Sequence, residues 1–199
     1  MQQSKAERTR AMIIERSAAL FNVKGFAGTS LNDILVATGL KKGGVYGHFN
    51  SKQDIAVEVF NYAYAELEKA LVAAVAKHEN SLEKLKAILS FYQNYSSQPT
   101  IEGGCPILNF SMEVDDTNPE LRKHLLWAVN RLLKSLTRII QNGQELNEIN
   151  QAVNAEQFAV LMYAQIEGGI MLSKLEGNDQ KLQLVLNLLS NQIEQQLPL

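Results

Sequence analysis

The chain has 199 residues, 46% of them apolar, which is enough to bury a core and excludes a disordered chain. Its one cysteine, Cys105, excludes an internal disulfide and a cysteine-rich zinc site, and its three scattered histidines lack metal spacing, so we expect no metal and no cofactor. The net charge of −2 conceals a basic N-terminal part, because residues 1–55 carry eight Lys or Arg against four Asp or Glu.

Two helices are predicted at the start of the chain. Apolar residues at helical spacing predict a first helix from about Lys5 to Lys24, which Gly25 ends. Thr29 or Ser30 then caps a short second helix, and Gly39 breaks it.

A second short helix, over about 41–48, precedes a much longer one. Ser51, with Asp54 three residues on, forms a capping box that opens a helix reaching to about residue 77. Further helices are predicted over about 81–95, from Pro106, from Pro119 to Gly143, from Asn154 with a kink at Gly168 and Gly169, and over about 179–196. No strand pattern is visible, so we predict an all-α protein of about nine helices.

The last helix is apolar over more than the one stripe that a surface helix needs. Pairing of the final two helices with the same pair of a second subunit would bury the second stripe in a four-helix bundle. The alternative is a helix fully internal to a monomer.

The segment from Thr29 to Phe60 is the most informative part of the sequence. A short helix, a glycine-containing turn and a second short helix form the arrangement that presents a recognition helix to the major groove of DNA. We expect a small core to fix the angle between the two helices and six residues to face outward. The core residues are Leu31, Ile34, Leu40, Val45 and Phe49, and the outward residues are Lys41, Lys42, Gly43, Gly44, Tyr46 and His48.

Gly43 and Gly44 are poor helix formers, each costing roughly 1 kcal/mol relative to alanine, so their presence needs a reason. Close approach of the backbone to DNA is one reason, and a simple extension of the turn is the alternative. Thr29 and Ser51 both lie at helix N-termini, which attract phosphate, and Lys52 adds a positive charge there. Ser30 is a further candidate for DNA contact.

The spacing of Lys42-Gly43, Val45-Tyr46, His48-Phe49 and Ser51-Lys52 resembles the TetR family of transcriptional regulators. The resemblance implies a three-helix DNA-binding head over 1–55, a linking helix to about 78, and a ligand-binding and dimerisation domain over 56–199. It also implies a homodimer that binds a palindromic double-stranded DNA operator as a repressor and is released by a small molecule. Thr29 and Lys52 would then contact phosphates, and Lys42 and Tyr46 would contact backbone and bases. Gly47 departs from the larger residue found in many members.

Aromatic and thioether side chains gather in the middle of the chain and are candidates for a ligand pocket or for ordinary core. They are Phe91, Tyr92, Tyr95, Phe110, Met112, Trp127, Met162 and Tyr163, together with Cys105. The sequence around Gly103-Gly104-Cys105-Pro106 resembles a subgroup of the family with members that respond to electrophiles or oxidants. Cys105 is therefore either a thiol sensor or a buried, inert residue.

Other classes of protein are disfavoured. One cysteine and three separated histidines supply no nucleophile with a base, so we expect no catalytic residues. No run of about 18 apolar residues and no signal-peptide pattern is present, so we expect no membrane span and a cytoplasmic protein. A helical adaptor that binds protein remains as an alternative, although it would need no basic head.

Overall fold

The computed structural model describes residues 4–114 and 118–199, and the described part contains nine α-helices and no strand. In chain order, α1 to α9 span Lys5–Gly28, Leu31–Thr38, Lys42–Tyr46, Lys52–Val75, Ser81–Tyr92, Pro106–Ser111, Pro119–Glu145, Ala155–Glu176 and Gln180–Gln196. The prediction of an all-α protein is confirmed. None of the described helices is both long and apolar enough to cross a bilayer.

Side-chain caps set several of the helix starts. Ser30, and not Thr29, is the N-cap of α2: its hydroxyl accepts from the Asp33 N–H while the Asp33 carboxylate accepts from the Ser30 N–H. At α8 the Asn154 side chain accepts a hydrogen bond from the Gln157 N–H, as the sequence predicts. Such caps satisfy backbone donors that have no partner within the helix, which fixes where each helix begins.

Glycines inside two helices have a different role from the predicted one. Gly143 does not end α7, and a Cβ atom placed there would lie 2.6 Å from Ile149 Cδ1. Gly168 and Gly169 do not interrupt α8, and a Cβ atom on Gly169 would lie 3.0 Å from Leu182 Cδ1. Gly143 and Gly169 therefore permit close packing and do not terminate or kink a helix.

The first of two compact units comprises residues up to Glu66 together with Ile101–Trp127. Within it α2 and α6 both pack on α1. Its largest fully buried side chains include Ile13, Phe21, Ile34, Ile55, Phe60 and Leu121. This unit contains α6 besides the residues of the predicted head, because α6 packs on α1.

The second compact unit comprises Leu67–Thr100 and Ala128–Leu199. In it α9 packs along α8 and also against α5. The Ser173 hydroxyl accepts from the Leu182 N–H at 2.8 Å, and the Asn150 N–H donates to the Leu197 carbonyl at 2.8 Å. Both ends of α9 are thus tied to the rest of this unit.

Candidate nucleic-acid interface

The turn between α2 and α3 has the geometry that a helix-turn-helix needs. Gly39 ends α2 in the left-handed conformation at φ +70°, which is accessible to glycine at little cost. Ile34, Val45 and Phe49 are buried, so three of the five predicted core residues fix the angle between the helices. Leu31 and Leu40 are only half-buried.

Helix α3 presents the predicted outward residues to solvent. Its Val45 is fully buried, and the Lys42 ammonium lies 5.9 Å from the centroid of the Tyr46 ring. His48 is half-buried, and the other predicted outward residues, Lys41, Lys42, Gly43, Gly44 and Tyr46, are exposed. Because α3 and its N-cap Lys41 carry two lysines and no acid, this surface attracts anions.

Two cations on α1 are paired with acids. The Lys24 ammonium lies 2.7 Å from Asp33 Oδ1, and the Arg10 guanidinium lies 2.7 Å from Glu58 Oε1. The hydrogen bond from Lys24, together with those from Ser30, holds the pKa of the Asp33 carboxyl far below its usual range. These pairs neutralise two of the positive charges of α1, whereas α3 carries no acid that could neutralise its own lysine.

Thr29 lies elsewhere than predicted. Its side chain is fully buried, and its hydroxyl donates within the head to the Gly25 carbonyl at 2.7 Å. Its backbone N–H also donates to the Gly25 carbonyl, at 3.2 Å. The structure thus places Thr29 in the closure of the α1 C-terminus and away from any surface that a phosphate could reach, whereas Ser30 is exposed.

Lys52 joins the start of α4 to the end of α1. Its ammonium donates to the carbonyls of Phe26 at 2.8 Å and Thr29 at 3.0 Å, and it lies 4.2 Å from the centroid of the Phe26 ring. These carbonyls lie at or just beyond the C-terminus of α1, where a cation is favourable. An ammonium has three N–H donors, so one remains for a phosphate.

For Lys52→Ala we expect weaker binding to all DNA alike, with the slope of log affinity against log salt reduced by about 1. Loss of the two carbonyl contacts should also lower the melting temperature. Fluorescence anisotropy with specific and random duplexes at several salt concentrations measures the first effect. A loss confined to the specific duplex contradicts the phosphate role, and a lower melting temperature with an unchanged slope assigns Lys52 to the fold alone.

A buried polar network fastens α6 and the loop before it to α1. The Asn22 side chain is 2% exposed, and its amide donates to the carbonyls of Glu102 and Gly104, both at 2.9 Å. The Asn109 amide of α6 donates to Asn22 Oδ1 at 3.0 Å and to the Gly103 carbonyl at 2.9 Å. We call Asn22, Asn109 and these carbonyls the α1–α6 network.

A second link lies at the kink in α1. Gly25 has φ +73°, and the next two N–H groups, those of Phe26 and Ala27, both donate to the Glu113 carboxylate. A Cβ atom at Gly25 would overlap that carboxylate. The glycine therefore lets a side chain from the segment after α6 cap the last turn of α1, which explains why α1 bends here and resumes.

Neither link was predicted from the sequence. The sequence did contain a signal for the α1–α6 network. Asn22 follows Ile14 and Ala18 at four-residue spacing, which places its amide on the buried stripe of α1. Buried amides need partners, so the position indicates a distant hydrogen-bonded contact without naming it. Glu113 carries no such signal.

The predicted ligand residues fall into two groups. In the first unit the Phe110 ring lies 5.5 Å from that of Phe60, and the Trp127 ring lies 5.6 Å from that of Tyr64. Phe110 is buried, whereas Met112 and Trp127 are 81% and 53% exposed. Of these three side chains, Phe110 is therefore core, and Met112 and Trp127 are surface residues of the chain.

In the second unit three aromatic rings form one cluster. Phe91 lies 4.9 Å from Tyr92 and 5.5 Å from Tyr95, and the Tyr95 hydroxyl is 3.1 Å from Thr100 Oγ1. Met162 is fully buried in α8, next to the half-buried Tyr163. A separate groove of 290 Å³ between α5 and α9 is lined by none of these predicted residues but by Lys86, Leu89, Ser90, Gln93, Gln183, Leu186, Asn187 and Ser190.

Cys105 is the N-cap residue of α6, as the sequence predicts, and its side chain is 1% exposed. Pro106 occupies the first turn of the helix, where its missing N–H is not needed. The described residues contain no group of three or more His, Cys, Asp or Glu that could hold a metal ion.

Comparison with known proteins identifies the family. Residues 13–59 match the family described as bacterial regulatory proteins, tetR family, and residues 81–189 match the tetracyclin repressor-like C-terminal domain. The chain is 27% identical to the HTH-type transcriptional repressor DhaR of Mycobacterium sp. (strain GP1), over 87% of this chain and 86% of DhaR. It is 25% identical to the repressor NemR of Escherichia coli (strain K12), over 84% of each.

Solved structures agree with the sequence comparison. The crystal structure of a TetR transcriptional regulator from Chloroflexus aurantiacus J-10-FL is 36% identical in sequence and superposes with a TM-score of 0.94 over 98% of each chain. The chain therefore belongs to the TetR family of bacterial transcriptional regulators.

Proposed function

We propose that this protein is a homodimeric repressor that inserts α3 of each subunit into successive major grooves of a palindromic operator and is released by a small molecule. The observation that carries the proposal is the surface of α3, where Lys41, Lys42 and Tyr46 are exposed around a buried Val45. Such a helix is short, positively charged and held in place by a buried residue, as the recognition helix of a helix-turn-helix is.

The dimer interface that we propose is the exposed apolar stripe of α8 and α9. On α8 it comprises Leu161, Leu172 and Leu175, which are 58%, 42% and 80% exposed, and on α9 it comprises Leu184 and Leu188, at 56% and 54%. The opposite side of α9 is buried within the second unit, at Leu182, Leu186, Leu189 and Ile193. Self-association of this stripe around a two-fold axis would bury it in a four-helix bundle.

The ligand response that we propose runs through α6. The α1–α6 network and the Glu113 link place α6 and α1 in one compact unit, so a ligand that displaces α6 also displaces the head. To change operator occupancy from 99:1 to 1:99, a ligand must prefer the released state by about 5.5 kcal/mol. The aromatic candidates of the second unit, Phe91, Tyr92, Tyr95 and Tyr163, favour an apolar or aromatic ligand.

The thiol-sensing alternative gains no separate support from the position of Cys105. A side chain that is 1% exposed gives a reagent in solution little access, and reactive cysteines are usually partly exposed. We therefore propose non-covalent release as the function.

Binding of the full chain to DNA from upstream of its own gene tests the proposal. We expect a shifted complex with one duplex of that region at nanomolar protein in moderate salt, and no such complex with a random duplex at the same concentration. The affinity should fall steeply with salt, because lysines on α3 displace counterions. Equal affinity for all duplexes would refute a sequence-specific regulator.

A further inference from the structure

Three glycines lie on one side of the recognition helix, although the backbone conformation requires a glycine at none of them. Gly43 and Gly44 lie within α3 and Gly47 is its C-cap residue, at φ −72° and ψ −12°. None of the three has a positive φ. The turn before α3 is made by Gly39, so the alternative that Gly43 and Gly44 extend the turn is not supported.

The space around Gly43 and Gly44 also does not explain why they are glycines. A Cβ atom at Gly43 would have no neighbouring atom within 4 Å, and one at Gly44 would make ordinary contact with Leu40 Cβ at 3.5 Å. Only at Gly47 is the fit tight, with the Gly43 carbonyl oxygen at 3.2 Å. Alanine would therefore fit at Gly43 and Gly44 and would favour the helix.

The three glycines share the side of α3 that points away from the protein. At 100° per residue from Gly43, Gly47 lies at about 40° and Gly44 at about 100°, whereas Val45 lies at about 200°. Val45 is fully buried and the glycines are exposed, so the glycine face is opposite the core. Lys42 and Tyr46, at about 260° and 300°, flank it on one side.

We propose that this glycine face is the surface through which α3 contacts the operator, with backbone atoms in van der Waals contact with the floor of the major groove. The inference rests on the proposed function. A helix with side chains is about 10–12 Å across and the groove is about 12 Å wide and 8.5 Å deep, so removal of the side chains on one face lets α3 enter more deeply. Lys42 and Tyr46 then reach phosphates and base edges from the flank, and DNA shape supplies part of the specificity.

The test uses the full chain and a duplex that the wild-type chain selects from a random-sequence pool. For Gly43→Ala and Gly44→Ala we expect a melting temperature about 2–4 °C higher, because a better helix former stabilises α3. We also expect at least about tenfold weaker binding to the selected duplex, since one unfavourable contact at each half-site accumulates over two subunits. Binding to random duplexes should change less than about twofold, because non-specific complexes rest on phosphate contacts.

Asn130→Ala is the matched control, because it also puts a better helix former at an exposed position of a helix but lies outside the head and the proposed dimer interface. It should raise the melting temperature and leave DNA binding unchanged. Gly43→Leu, with a larger side chain, should lose at least as much affinity as Gly43→Ala. If the alanine variants bind the selected duplex as tightly as wild type, the proposed role of the glycine face is wrong, whereas the proposed function is unaffected. A wild-type chain that selects no sequence overturns the proposed function and the glycine face with it.

Discussion

A Leu188→Glu chain should be a folded monomer at micromolar concentration, with operator affinity at least about 100-fold below wild type. Leu188 is 54% exposed on α9, one turn from Leu184, in the stripe that we propose as the dimer interface. Burial of a leucine contributes about 1.5–3 kcal/mol, and a two-fold interface loses each contact twice. The loss of about 3–6 kcal/mol weakens the dimer roughly 10²–10⁴-fold, and the two buried carboxylates add to it.

Sedimentation equilibrium of the free protein measures the change in association. Leu146→Glu is the matched control, because Leu146 is 64% exposed but follows the end of α7, outside the stripe. It should leave both the dimer and operator binding unchanged. A dimeric Leu188→Glu chain, or a monomeric Leu146→Glu chain, would place the interface elsewhere. Operator binding should follow association, because a dimer contacts two half-sites about 34–36 Å apart and a monomer contacts one.

Sequence predicted the helices well because their determinants are local. The capping serine Ser30, the Asn154 cap and the left-handed Gly39 each act within about four residues, so they can be identified without a tertiary structure. The same holds for the recognition helix, where the position of Val45 between exposed residues follows from helical periodicity.

Predictions from the sequence were wrong where a residue interacts with a different partner in the folded chain. Gly25 predicted the end of α1, but the Glu113 carboxylate caps a further turn from a position far along the chain. Thr29 was predicted as a phosphate ligand because it precedes a helix, yet its hydroxyl closes the preceding helix. In both cases local chemistry allowed two partners, and tertiary packing decided between them.

The candidate ligand site shows the same limit more strongly. Aromatic or thioether character alone selected Phe110, Met112 and Trp127, but only Phe110 is buried. Apolar surface is normal in folded proteins, so residue type does not separate a pocket from a core or an exposed position. Met112 is 81% exposed because it lies directly after α6, at the surface of the folded chain. Its exposure therefore depends on tertiary structure, which residue type alone does not predict.

An Asn22→Asp chain should lose about 3–5 kcal/mol of stability although the two side chains have the same shape. The Asn22 amide donates to the Glu102 and Gly104 carbonyls at 2.9 Å in a site that is 2% exposed. A carboxylate puts an oxygen against these two carbonyl oxygens, and each buried acceptor left without a donor costs about 1–3 kcal/mol. The melting temperature, followed by circular dichroism, should fall by about 6–20 °C.

The loss should depend on pH in a defined direction. Burial and the two carbonyl oxygens raise the pKa of the introduced carboxyl in the folded state above about 3.9, its unfolded value. The protonated carboxyl restores one hydrogen-bond donor and so stabilises the folded variant. This stabilisation is fully present below about pH 3.9 and is lost as the pH rises through the raised pKa of the folded state. The stability gap between variant and wild type should therefore narrow as the pH falls from 7 to 5. Asn130→Asp, at an exposed position of α7, should show no comparable gap at either pH. An Asn22→Asp chain as stable as wild type at pH 7 would mean that α6 is not fastened to α1 by this network.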